Sequence, residues 1–187
     1  MLNIILVVAA VASASVLLLA ATRPDTFSVQ RSVAIQAPPE AVYPLIVDLK
    51  RWEAWSPWER KDPAMKRTFG ATTQDKGPRY SWEGKGEVGQ GSMEITEYVS
   101  PRKVVIKLDF VKPFEAHNTV DFALAPSGQT TDVTWTMRGP VPYPAKIVHL
   151  FVDMDKMVGK DFEAGLANLK LAAEKRPAGA TTLEGKQ

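Results

Sequence analysis

The sequence predicts an α+β protein. It reads as a curved antiparallel β-sheet whose apolar face is covered by one long C-terminal helix, with a separate apolar helix at the N-terminus. Three observations predict this. Residues 1–22 carry no charged side chain. Between residues 66 and 138 come six short strand-like runs, a weak one at 66–71 and five in which apolar and polar residues alternate. From Pro144 to about Arg176, apolar residues recur at steps of three and four. A sheet with one apolar face must bury it, and that last segment is the only element long enough to do so.

The N-terminal run MLNIILVVAAVASASVLLLAAT is long enough to span a bilayer as a helix. It lacks the basic n-region of a cleaved signal, so it reads as a retained single-pass anchor. Ala12-Ser13-Ala14 and Leu19-Ala20-Ala21 would nevertheless pass as small-residue cleavage sites. Arg23 and Arg31 follow the segment and nothing basic precedes it. This tilts the expectation to a cytoplasmic domain, with a periplasmic one left open.

Residues 27–37 alternate, with Phe27, Val29, Val33 and Ile35 on one face of a strand. Pro38 and Pro39 end it, and Pro39 suits the first position of a helix. That helix carries Val42, Leu45, Ile46 and Leu49, with Pro44 early in it. Then comes RWEAWSPWER, with Trp52, Trp55 and Trp58 each three apart. Pro57 lacks an N–H and pushes Ser56 from helical geometry, so the helix should stop before Trp58 and the cluster should form a turn. It either rims a cavity, with Trp58 at the opening, or plugs one end of the sheet.

The strand runs that follow are 66–71, 79–83, 92–99, 103–111, 116–125 and 131–138, separated by Gly/Pro turns such as Gly77-Pro78, Ser100-Pro101 and Pro126-Ser127-Gly128. In the last segment Ile147, Phe151, Met154, Val158, Phe162, Leu166 and Leu169 make the apolar line. Gly159 and Gly165 are places for a kink, and Pro177 stops the helix. The domains expected are residues 1–22 as anchor or uncleaved signal, 23–176 as the folded domain, and 177–187 as a disordered tail.

The chain has 187 residues, no cysteine and a formal charge of +2. Thiolate chemistry and disulfides are excluded, and so small a charge argues against nucleic acid as a partner. With two histidines and no H-x-x-x-H spacing, no metal site and no cofactor are expected. Gly84-Lys85-Gly86-Glu87-Val88-Gly89 matches the spacing of a dinucleotide-binding loop, but a strand follows it rather than a helix, so it reads as a hairpin turn.

Strand parity points Tyr80, Trp82, Met93 and Ile95 to the concave face. Leu108, Phe110, Phe122, Trp135 and Met137 share that face. From the helix, Phe151 and Met154 would meet them, with Met157 off the main line. With Trp58 these residues are the expected lining of an apolar ligand site, or else a solid core. Arg31, Glu97 and Asn118 fall at inward parity and need partners if buried. Arg31 with Glu97 is one possible pair; solvent, after a bulge, is the other outcome. His117 reads as an edge histidine, and Asp153 and Asp155 as solvated charges.

Several stretches resemble the START-like, or SRPBCC, superfamily in its polyketide cyclase/dehydrase-like branch. They are Val29 to Pro38, then Val42 and Asp48 with Trp52, Trp55, Ser56, Pro57 and Trp58. Further on are Trp82-Glu83-Gly84, Val133-Thr134-Trp135 and the run Phe162 to Lys170. The resemblance covers about residues 27 to 175. It implies a helix-grip fold, in which the sheet grips the C-terminal helix around a cavity. It also implies a hydrophobic ligand such as a lipid, sterol, hormone or polyketide, and in a minority of members an enzyme. The function expected is therefore a membrane-anchored binding protein for a hydrophobic small molecule, lipid or isoprenoid-like, held between sheet and helix. The alternatives are a cyclase/dehydrase- or hydrolase-type enzyme using Glu97 or His117 in the same cavity, and a co-chaperone-like protein-interaction module.

Overall fold

The computed structural model describes residues 1–71 and 77–175. Arg176 and the expected tail 177–187 lie outside the described residues. Helix α1 spans Leu2–Ala21, and β1 spans Thr26–Ile35. Helix α2 (Pro39–Val47), a 3-10 helix (Leu49–Ala54) and α3 (Pro57–Lys61) connect β1 to the rest of the sheet. Strands β2 (Lys66–Phe69), β3 (Arg79–Glu83), β4 (Gln90–Val99), β5 (Lys103–Lys112), β6 (Ala116–Ser127) and β7 (Thr130–Pro140) follow. Helices α4 (Tyr143–Val148) and α5 (Met154–Glu174) close the described chain.

The seven strands form one antiparallel sheet in the order β1-β7-β6-β5-β4-β3-β2. Strands consecutive in the chain pair antiparallel from β2 to β7. Only β1 is joined at a distance, through α2 and the tryptophan segment, and it pairs with β7 from Thr26↔Pro140 to Ile35↔Thr131. This places both ends of the sheet's chain path beside α5, which crosses β1 and covers the apolar face. Val29, Ile35, Ile95, Ile106, Phe122, Val133 and Trp135 from the sheet are almost wholly buried, as are Phe162, Leu166 and Leu169 from α5.

Two elements differ from expectation. The C-terminal segment is two helices rather than one. Asp153 is in extended geometry and its carboxylate accepts the Lys156 backbone N–H at 3.1 Å, starting α5 afresh. The apolar spacing runs on through residues 149–153 although the backbone turns there, so periodicity alone hides the break. Asp153 is thus a helix cap. The tryptophan turn is also partly helical. The 3-10 helix ends at Ala54 and Pro57 opens the next helix at its first position, so Trp58 stands on α3.

Helix α5 runs through Gly159 and Gly165 as one helix, and each glycine makes room for a neighbour. A Cβ on Gly165 would lie 2.8 Å from the Trp135 ring, and one on Gly159 would strike the Arg31 guanidinium. Arg31 does face inward, but it does not pair with Glu97. It donates to Glu163 Oε1 at 2.7 Å and to Asp155 Oδ1 at 3.0 Å, stapling β1 to the first half of α5. Asp155 is therefore an ion-pair partner rather than a free solvated charge. A register shift between Ile95 and Glu97 turns the Glu97 side chain outward, where it accepts from Lys103 Nζ at 2.8 Å.

Candidate ligand-binding site

The tryptophan segment supplies the middle of the domain. Trp52 and Trp55 donate their indole N–H groups to the Ile46 and Leu45 carbonyls at 2.9 and 2.8 Å, in the last turn of α2. These bonds satisfy helix-end acceptors and fix both rings against the sheet. Trp55 meets Phe122 and Trp135 edge-on at 6.0 and 5.5 Å. Trp58 meets Trp135 at 5.8 Å and Phe162 at 6.4 Å. Trp135 and Phe162 stack at 4.1 Å, 9° from parallel. The space between the centre of the sheet and α5 is therefore filled by rings.

The expected lining residues divide into three groups. Trp58, Phe122 and Trp135 belong to this aromatic cluster, with Ile95 and Met137 buried in the same core. Tyr80, Trp82 and Phe110 form a second chain of rings, at 6.0 and 5.8 Å, with Met93 and Leu108 beside them on paired strands. Phe151 and Met154 stand apart, in the connection from α4 to α5 and the start of α5.

That connection walls a groove of about 510 Å³. Its other walls are Arg23, Pro24, Thr26 and Phe27 at the start of β1, Val141 after β7, and His149, Leu150, Val152 and Asp153. The groove lies where α1 meets the domain. Tyr143 on α4 donates its hydroxyl to the Leu17 carbonyl of α1 at 2.8 Å. Lys146, almost buried, pairs with Asp25 at 2.6 Å, tying α4 to the chain between α1 and β1. Phe27 forms the inner wall and meets His149 edge-on at 6.4 Å. Phe151, 75% exposed, stands at the outer edge. Phe27 and Met154 were legible as inward residues from parity and helical spacing. Arg23, Val141 and Leu150 were not, because only the turn between α4 and α5 brings them together.

A second cavity, of about 220 Å³, lies at the far side between the 3-10 helix, α3 and β2, beside Leu49, Glu59, Arg67 and Phe69. Glu59, 8% exposed, is its buried carboxylate. Its oxygens accept from Tyr80 Oη at 2.8 Å and from Arg67 Nε at 2.7 Å. Burial, with the bond to Glu59, pushes the Tyr80 hydroxyl well above its ordinary range. With both oxygens bonded, Glu59 ties α3 to β2 and β3. Nothing in the sequence distinguished it from the other acidic residues of the turn.

The two acid/base candidates read from the sequence do not enter either cavity. Glu97 is exposed. His117 is 61% exposed and bonds Asp109 Oδ1 at 2.7 Å, which holds its imidazole above the ordinary histidine range. Among the described residues no group of three His, Cys, Asp or Glu side chains is arranged to hold a metal ion. Helix α1 is long and apolar enough to cross a bilayer, with a mean hydropathy of 2.8, a property that membrane spans and signal sequences share.

A sheet gripping a C-terminal helix defines the helix-grip class, and solved structures of that class superpose on this chain. A protein from Thermobifida fusca does so with a TM-score of 0.58 and 20% identity, over 78% of this chain and 92% of the other. Protein CV1439 from Chromobacterium violaceum gives 0.57 and 15%, over 82% and 100%. The Aha1 dimer from Colwellia psychrerythraea gives 0.57 and 15%, over 80% and 97%. At these identities the likeness is one of fold. No curated protein matches the sequence. Residues 26–174 match the family described as polyketide cyclase / dehydrase and lipid transport, and the chain belongs to that family.

Proposed function

We propose that this chain is a membrane-anchored binding protein for a hydrophobic small molecule, of lipid or isoprenoid type, and that the ligand occupies the groove at the end of α1. The observation that carries this reading is the position of the groove. Its volume of about 510 Å³ suits a small-molecule site. Its walls include Arg23 and Pro24, which follow directly on Thr22, the cap of the apolar helix. A groove tethered there meets membrane-dissolved molecules at high effective concentration. Val148, Phe151 and Tyr143 expose apolar surface beside it, an arrangement suited to contact with lipid. The family description, which includes lipid transport, supports the same class of ligand. The aromatic filling around Trp135 argues for this end of the domain over the middle of the sheet. In this reading Phe151 and Met154 touch the ligand, and the residues from Trp58 to Met137 pack the interior away from the groove.

Extraction of the full chain purified in mild detergent, with mass spectrometry of the organic phase, tests the reading. An apolar molecule should accompany the wild type and be depleted from Phe151→Arg, while the melting temperature stays within about 1–2 °C because Phe151 is exposed. Equal amounts from both proteins, or none from either, would refute it.

A further inference from the structure

Of the polar residues that parity turns inward, Asn118 alone stays there with nothing to bond. It is 7% exposed, and its Oδ1 has no hydrogen-bond partner among the described residues. An unmatched buried amide oxygen costs stability and calls for a reason. Its surroundings on the sheet are apolar, with Leu108 opposite on β5 and Val120 two positions along β6. On β7 the adjacent position is Gly139. A Cβ there would collide with Asn118 Oδ1 and come within 3.1 Å of Phe27 Cε1. The absent side chain is what gives the amide its space. The Asn118 amide and the Phe27 ring thus both border the missing Gly139 side chain, and Phe27 also walls the groove. Phe27 is half-buried, and its ring must swing aside for a molecule in the groove to reach the amide.

The chemistry of the unmet atom selects the ligand. Oδ1 needs a hydrogen-bond donor. An anionic head group has no proton to give Oδ1, and a cationic one would lack a free carboxylate, because Asp153, the carboxylate of the groove wall, is committed to Lys156. A neutral hydroxyl fits. We propose, resting on the ligand-binding reading above, that Asn118 accepts a hydrogen bond from the hydroxyl of a long-chain neutral alcohol whose apolar body passes Phe27 into the groove.

The test measures binding of geranylgeraniol and of geranylgeranyl acetate to the full chain in detergent, by quenching of tryptophan fluorescence. Wild type should prefer the alcohol about tenfold, the effect of one buried hydrogen bond. Asn118→Leu should lose that preference and melt at a higher temperature, because it removes an unmatched polar group. Gly139→Ala, which keeps the asparagine but occupies its space, should lose the preference as well. Equal affinity of wild type for the two probes overturns the assignment to Asn118 and leaves the binding reading standing. So does a preference that survives in Asn118→Leu, or a lower melting temperature of that variant. Binding of neither probe by wild type overturns the binding reading, and this assignment with it.

Discussion

Truncating Phe162 to alanine tests whether the space between sheet and α5 is filled. Phe162 is 1% exposed and its ring lies flat on Trp135 at 4.1 Å, with Trp58 edge-on at 6.4 Å. Returning a buried phenylalanine to water costs about 2–3 kcal/mol. The void left behind, under rings that cannot collapse far, raises the cost of Phe→Ala to about 3–5 kcal/mol. The stacked geometry adds about 0.5–1.5 kcal/mol that area alone does not count. For a domain of this size each kcal/mol moves the melting temperature by about 2–4 °C, so Phe162→Ala should melt roughly 10 °C or more below wild type. The assay is a thermal melt followed by near-ultraviolet circular dichroism, which reads the tryptophan environment directly. Phe151→Ala, at 75% exposure, is the control and should change stability by less than about 0.5 kcal/mol. A loss below about 1 kcal/mol for Phe162→Ala would refute the filled interior and return the sheet–helix space to consideration as a ligand cavity.

Two other perturbations follow from the packing. Gly165→Ala puts a better helix former into α5 but drives a Cβ to 2.8 Å from Trp135 and 3.2 Å from Pro57, so it should destabilise by about 1–3 kcal/mol in a denaturant titration rather than stabilise. Stability should fall above pH about 10, where an unfolded tyrosine ionises while folded Tyr80, its hydroxyl raised by burial and Glu59, keeps its proton. The unfolded chain then binds fewer protons, so each pH unit favours it by up to about 1.4 kcal/mol. Tyr80→Phe should flatten that part of the pH profile.

Much of the fold is legible in order along the chain. The six strand-like runs after the tryptophan segment each become a strand, and with β1 they make the seven-stranded sheet. Alternation survives because each strand has one face on the core, and one-residue slips would expose the whole set. The exception is Glu97, where a single register shift reverses the parity that the spacing implied. The candidate site was less legible. Phe27, Phe151 and Met154 could be placed on faces, but Arg23, Val141 and Leu150 join them only through the turn that Asp153 caps.

By itself the sequence determined the apolar N-terminal helix, the strand set, the covering helix and the family. These follow from local periodicity and from residues that start or stop elements, and neighbours along the chain carry that information. Tertiary structure alone decided what fills the interior and where space remains. Whether Trp58, Trp135 and Phe162 leave a hollow or close it depends on ring distances between elements 27 to 104 residues apart in sequence. The same holds for the burial of Glu59 and for the unmet amide of Asn118. Each is set by what lies across a packed gap of a few ångströms, a quantity that no spacing along one strand encodes.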